Sequence, residues 1–579
     1  MVKRLFGYLK GYEKQLWLGP LFKLAEAVLE LLVPWIVADL IDRGIARQDF
    51  AYVLSRGGLL LGLAAIGFAC AMVCQYFAAV CAYGFGSRVR NAVFERVIHL
   101  SRTQHRKLGA DMLITRITSD VNQVQTGVNM FIRLAVRAPF LAIGSIVMAF
   151  TIDAKIALIF LVTTPLILLT IWFVMKWNIP RYQSIQKGQE SIARLSGEML
   201  EGIRVVRAFS RQKEESESFQ KAGDAVTSDT IKAGWLAAVL NPVTMILVNL
   251  AIALILWWGA QAVDAAVLAQ GDVIALVNYM NQTLLALIVL ANIIMILTRS
   301  IASAQRVADL LAMEPNIAYP TQESAAIQAD DSEAICFSDV SFRYESGENV
   351  LEHLSFAVKK GQTLGVIGGT GSGKTTLVQL MLRAYEATEG TVLIDGTPVQ
   401  NYSKSQLGQK FGVALQGPRL FQGTVRSNLQ MSAPNADDDT LKKALKMAQC
   451  FEFLQENTAL EQPVEQEGRN FSGGQRQRLT VARALARTPE ILVLDDASSA
   501  LDYRTEAALR QALAAQYAGT KVLISQRVAS IRHADVILVL EEGRQAGFGT
   551  HETLFETCDI YRQICQSQGE EKGEASCGL

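Results

Sequence analysis

The residues with the clearest chemistry are Gly368, Gly369, Thr370, Gly371, Ser372, Gly373, Lys374, Thr375 and Thr376. They follow an apolar run, residues 364–367, and precede another at helical spacing, residues 377–382. This is G-x-x-x-x-G-K-[ST] in the strand, loop, helix context that the pattern requires. The glycines let successive backbone N–H groups curl around a triphosphate, and the helix start adds partial positive charge. Lys374 is placed to reach the outer phosphates and Thr375 to hold Mg²⁺. A glycine turn that only packed a strand on a helix would have no use for Lys374 and Thr375, so the chemistry is nucleotide binding.

Other residues fall into place around that loop. Ile491-Leu-Val-Leu494 reads as a fully buried central strand, and Asp495 and Asp496 stand at its C-terminal end, where an α/β sheet presents groups to ligand. From there Asp495 would reach the metal held by Thr375. Phe471-Ser472-Gly473-Gly474-Gln475 opens a helix and makes a second anion-binding terminus. One chain seldom needs two phosphate cradles for one nucleotide, whereas two copies facing head to tail would use both. Gln416 ends the strand-like Val413-Ala-Leu, and Tyr344 ends Val340-Ser-Phe-Arg. Each is weak by itself, since a surface tyrosine at a strand end is common.

The elements that carry these residues fall into two halves. The chain has 579 residues, 50% of them hydrophobic, and zero net charge. That is too apolar for an ordinary soluble enzyme and gives no pointer to nucleic acid. Apolar segments at 16–41, 57–85, 131–152, 155–177, 233–263 and 271–298 mostly exceed the ~20 residues of a spanning helix. Six crossings return the chain to its starting side. Residues 86–130 hold seven Lys and Arg and 178–232 hold nine, against four (Arg43, Arg47, Arg56, Lys155) on the opposite side. The two long loops and the N-terminus are therefore expected to be cytoplasmic.

The same loops keep a helical rhythm and are expected to continue the membrane helices, with contact points near Gly109-Ala-Asp111 and Arg207-Ala-Phe-Ser-Arg211. Solvated charged helices with no mechanical role are the alternative. The basic, amphipathic residues 1–15 read as an interfacial helix and not a cleaved signal. Within the spans, Glu26, Glu30, Arg133 and Arg137 are functional candidates or helix-to-helix salt bridges, and Asn241, Asn249 and Asn278 are further polar candidates. Asn281 and Gln282 suggest a polar cavity wall. Eight scattered cysteines show no metal spacing, and Cys70, Cys74 and Cys81 read as small apolar residues of one helix. A proline-bearing, acidic stretch at 313–333 marks a linker between a membrane domain at 16–312 and a soluble domain at 334–567, with a polar tail at 568–579.

In this order, the loop 368–376, Gln416, residues 471–475, Asp495 and Ser499-Ala-Leu-Asp502 resemble those of an ABC exporter half-transporter, and the resemblance covers essentially the whole length. It implies a membrane helical bundle of six transmembrane helices, type IV ABC exporter-like, fused to an α/β P-loop nucleotide-binding domain in a plasma membrane. It also implies roles: Tyr344 stacks adenine, residues 368–376 bind ATP, and Thr375, Gln416 and Asp495 hold Mg²⁺. Gln416 senses the γ-phosphate, Ser472, Gly473, Gly474 and Gln475 complete the ATP site of an opposing subunit, and Asp502 lies at the dimer seam.

Two positions depart from the family. Asp496 replaces the glutamate that follows the metal-binding aspartate, and Gln526 replaces a histidine. Aspartate is one methylene short for holding an attacking water, and glutamine cannot carry a proton. Val464-Glu-Gln-Glu-Gly468 also lacks the usual Gly-Glu pair. The chain thus resembles the degenerate-site subunit of heterodimeric bacterial multidrug exporters. It is expected to pair with a second half-transporter and to move amphipathic drugs or lipids. A homodimeric exporter with two weak sites, or a non-pumping ATP-sensing membrane regulator, is the alternative.

Overall fold

The computed structural model describes residues 2–320, 332–345, 347–497 and 499–569. Asp330, Asp331 and most of the expected C-terminal tail lie outside the described residues. The chain divides into two compact units: one holds residues 1–99 and 108–314, the other 100–107 and 315–579.

Helices account for the first unit. Five are long and apolar enough to cross a membrane: Phe50–His99, Ala110–Ile152, Ala154–Glu201, Gln212–Asp264 and Gln270–Ala312. At 50 residues, Phe50–His99 runs roughly 75 Å, more than twice the hydrocarbon thickness of a bilayer, so the expected helical continuations are present. Ala110–Ile152 is interrupted by π-helical turns at Arg116–Asp120 and Phe131–Ala135. The expected first span lies on Glu13–Asp39, which is not among the five and carries Glu13, Lys14, Lys23, Glu26 and Glu30.

Several of those charges are paired. Arg137 Nη2 donates to Glu30 Oε2 at 2.6 Å across two helices, and Lys23 Nζ lies 2.6 Å from Glu26. The salt-bridge alternative thus holds for Glu30 and Arg137, and Arg133 is within 3.5 Å of the Asn129 side-chain oxygen. The core around Phe160, Ile255 and Leu276 is closed by Tyr279, whose hydroxyl donates to the Leu31 carbonyl at 2.7 Å. Cys74 and Cys81 are buried within their helix, as small apolar residues would be.

The cassette unit is built on a sheet of ten strands among the described residues. Five run side by side in the order Phe411–Ala414, Ile491–Asp495, Thr520–Ile524, Thr363–Gly368, Val536–Glu541, with parallel pairing throughout. All five residues of Ile491–Asp495 are buried, the burial expected of a central strand covered on both faces. Arg544–Gly549 pairs antiparallel with Val536–Glu541 and meets Asn349–Lys359 through one parallel bridge, Arg544 to Glu352; from there an antiparallel wing runs through Glu333–Arg343 and Glu389–Ile394 to Thr397–Pro398.

Leu492 is fully buried on the central strand. Leu492→Ala is expected to cost about 2–5 kcal/mol and to lower the thermal unfolding midpoint of the purified full chain, read by intrinsic fluorescence.

Candidate nucleotide site

Parallel strands place their C-terminal ends on one edge of the sheet, and here four of those ends carry the predicted residues. Thr363–Gly368 runs into the glycine loop, Phe411–Ala414 leads to Gln416, Ile491–Asp495 ends at Asp495 and Asp496, and Thr520–Ile524 delivers Ser525 and Gln526. Together they line one cavity of about 280 Å³, to which the loop and its helix contribute Thr370, Gly371, Gly373, Lys374, Thr375 and Thr376. Gly371 (φ +86°) and Gly373 (φ +97°) adopt left-handed backbone that other residues enter at a cost, and nothing lies within 4 Å of where a Cβ on Gly369 or Gly371 would sit. The loop is open toward a ligand. It closes on Lys374–Met381, whose first residue folds its Nζ onto the Gly368 and Gly369 carbonyls at 2.9 and 2.7 Å.

Electrostatics mark the same cavity. Burial pushes the Asp495 carboxyl above the usual carboxylate range; a hydrogen bond from Thr375 opposes the shift and the Asp496 charge adds to it. Burial lowers the Lys374 ammonium, against the pull of Asp495 and Asp496. Asp495 is 2% exposed, and its Oδ2 has no hydrogen-bond partner among the described residues. A buried carboxylate oxygen left without a donor is costly, and a cation removes that cost. A ligand that brings a divalent cation to Asp495 and anionic phosphate to Lys374 satisfies both buried groups. Thr375, Asp495 and Gln416 thus fit Mg²⁺ carried with a nucleotide.

The two departures also sit here. Asp496 takes left-handed backbone (φ +52°), a conformation that aspartate tolerates better than most residues, and its N–H bonds the Ile524 carbonyl. Gln416 Nε2 stands 3.5 Å from Asp496 Oδ2.

Other predicted residues are placed elsewhere. Tyr344 does not line the phosphate cavity. Its hydroxyl lies 3.0 Å from Thr376 Oγ1, its ring packs edge-on against Tyr385, and it borders a neighbouring cavity with Arg106, Lys107 and Arg343. The Arg106 guanidinium stands 5.7 Å from the Tyr344 ring centre, within cation–π range. Residues 100–107 group with the cassette unit, whereas Gly109-Ala-Asp111 and residues 207–211 belong to the helical unit. The sequence reading counted Arg106 only as part of a basic loop.

Ser472, Gly473, Gly474 and Gln475 are also outside the cavity. Ser472 caps Gly473–Leu485 in a reciprocal box with Gln475, its Oγ accepting from the Gln475 N–H at 3.3 Å. A Cβ on Gly474 would come within 2.9 Å of the Ala500 carbonyl, while Gly473 faces open space. Asp502 caps Tyr503–Gln516 by accepting from the Thr505 N–H at 2.9 Å, and those bonds hold its carboxyl below the usual range. Asn241, Asn249, Asn278 and Asn281 are exposed in the single chain, and the Gln282 side-chain oxygen accepts from Ser145 at 3.3 Å.

Residues 16–287 match the family described as ABC transporter transmembrane region, and residues 351–499 the family described as ABC transporter. The chain is 34% identical over 578 residues to the uncharacterized ABC transporter ATP-binding protein YfiB of Bacillus subtilis, with all of both chains covered. The chain belongs to the ABC transporter family. An uncharacterized ABC transporter ATP-binding protein of Mycobacterium tuberculosis is 32% identical, with 97% of each chain covered. The fold of this ABC transporter matches that of a bacterial Atm1-family ABC exporter solved with ATP bound, with a TM-score of 0.79, 21% identity, and 98% and 99% of the two chains covered. It is a helical transmembrane domain fused to an ATP-binding cassette, and an ATPase domain of this family is coupled to transport.

Asp495→Asn is expected to weaken nucleotide binding more than tenfold in Mg²⁺ and far less in EDTA. Equilibrium titration of the purified chain with a fluorescent ATP analogue in both buffers checks this.

Proposed function

We propose that this chain is one half of an ATP-driven exporter whose own crevice grips ATP and turns it over slowly, while its signature, residues 471–475, completes a faster site on a different partner chain. The observation that carries this reading is the pair Asp496 and Gln526, both lining the phosphate cavity. When bound, Mg²⁺ supplies charge neutralisation at the phosphates and holds their geometry. Lys374 binds the outer phosphates, the loop N–H groups orient them, and Thr375, Gln416 and Asp495 hold the metal. Asp496 is too short to aim a water at the γ-phosphate without moving away from Gln416. Gln526 donates a hydrogen bond there but moves no proton.

Ser472 and Gly473 lie outside the chain's own cavity, which supports their use by an opposing cassette. Tyr344, with Arg106 across its ring, is the adenine platform, and Asp502 faces the dimer seam. In this reading Glu13–Asp39 is a sixth span, and the N-terminus and cassette are cytoplasmic in a plasma membrane. Closure of two cassettes around ATP moves the long helices, since each nucleotide favours the closed state over the open one. Residues 100–107 transmit that motion within the chain, and the second loop end, where Phe209 is 75% exposed, offers apolar surface to the partner's cassette. The face carrying Asn278 and Asn281 gives the pathway a polar lining for amphipathic compounds.

Purified alone, the chain is expected to bind ATP and hydrolyse it slowly. Asp496→Glu with Gln526→His is expected to raise turnover at least tenfold in the assembled pair, and Ser472→Ala in this chain to remove most of the pair's ATPase activity. Steady-state phosphate release from reconstituted vesicles measures all three. Brisk wild-type hydrolysis by this chain alone contradicts the reading.

A further inference from the structure

The segment that carries Gln526 into the crevice is held from two sides. On one, the buried Glu506, in the first turn of Tyr503–Gln516, accepts from the Ser530 hydroxyl and lies 3.4 Å from Arg527 Nη1. On the other, the side chain of Gln568 reaches back from just beyond Asp559–Ser567. Its Nε2 donates to the Gln526 carbonyl at 2.8 Å, and its Oε1 accepts from the Val528 N–H at 2.8 Å. Val528 opens the short helix Val528–Ile531, so its N–H has no intrahelical acceptor. One partner demands the amide's donor end and the other its acceptor end, which fixes the orientation of Gln568. The helix it extends also borders the phosphate loop: Ile564 and Ser567 line a groove with Gly369 and Gly371.

We propose that Gln568 is a positioning residue: by bridging the backbone on both sides of Arg527 it sets where the Gln526 side chain stands toward the γ-phosphate. The ATP-over-ADP preference of the crevice thereby depends on the end of the C-terminal helix. This rests on the reading of the crevice as an ATP site. Gln568 touches no nucleotide; it acts through the two backbone groups. Loss of its bonds frees the Gln526 carbonyl and the Val528 N–H, while the buried Val528 side chain and the Arg527 and Ser530 bonds keep the segment folded, so the Gln526 amide no longer stands in one place.

The test is equilibrium binding of ATP and of ADP, each with Mg²⁺, to the purified full chain. Gln568→Met is expected to weaken ATP roughly 3- to 10-fold while ADP stays within about twofold, because ADP lacks the phosphate that Gln526 faces. Gln568→Glu keeps the acceptor for Val528 and loses the donor for Gln526. It is expected to give the same ATP-selective loss with an unchanged thermal midpoint. Gln526→Ala is expected to match them, and Gln526→Ala with Gln568→Met to be no weaker than Gln526→Ala alone. An equal loss of ATP and ADP affinity, or additive losses in the double variant, overturns the proposal. Lys374→Ala separates two failures. If it abolishes ATP binding while both Gln568 variants bind ATP as the wild type does, the positioning role falls and the ATP site stands. If Lys374→Ala binds ATP normally, the ATP site itself falls, and the proposal with it.

Discussion

A carboxylate and an ammonium held close together at the edge of a buried parallel sheet organise the functional half of this molecule. Asp495 ends a strand whose every residue is buried, and Lys374 begins the helix after the glycine loop. Burial works against the charge on each, so both gain from a ligand that carries a cation and an anion together. The sheet order sets this up, because Thr520–Ile524 separates the two strands and inserts Gln526 between their ends. Shifting any of the three strands by one residue would turn its end group away from the crevice.

The same placement makes the departures consequential. Asp496 and Gln526 come from neighbouring strand ends and line one cavity, so in the proposed reading both face the same nucleotide. On the proposed reading their combined effect falls on hydrolysis, while Lys374, Thr375 and Asp495 keep the types that grip nucleotide and metal. The signature residues are on a separate helix, capped internally by Ser472 and Gln475, and nothing about the altered crevice disturbs them. In the proposed reading, a chain with one impaired pocket and one intact signature is a half suited to an unlike partner.

Much of this was legible because its physics is local. Glycines followed by Lys-Thr, a four-residue apolar strand ending in Asp495 and long apolar runs each carry their meaning within a few residues. What sequence missed depends on distant parts of the chain. Sequence offered helix-to-helix salt bridges for Glu26, Glu30, Arg133 and Arg137, but that Arg137 pairs with Glu30 has no local pattern. Residues 100–107, before Gly109, group with the cassette, because a glycine break reveals a turn and not which flank will pack. Arg106 read as one basic loop residue among several until Tyr344 appeared beside it. Gln568 is a lone glutamine near the chain's end, and only the fold brings it to Gln526.

The central claim is unequal treatment of two bound nucleotides. It is tested most directly by isolating the assembled transporter from membranes after ATP exposure and vanadate trapping, then measuring how many nucleotides each assembly retains and in what form. The account predicts two unlike chains holding one intact ATP, at the crevice of Lys374, and one trapped ADP at the partner's. An assembly of two identical chains holding ADP equally in both crevices would contradict it.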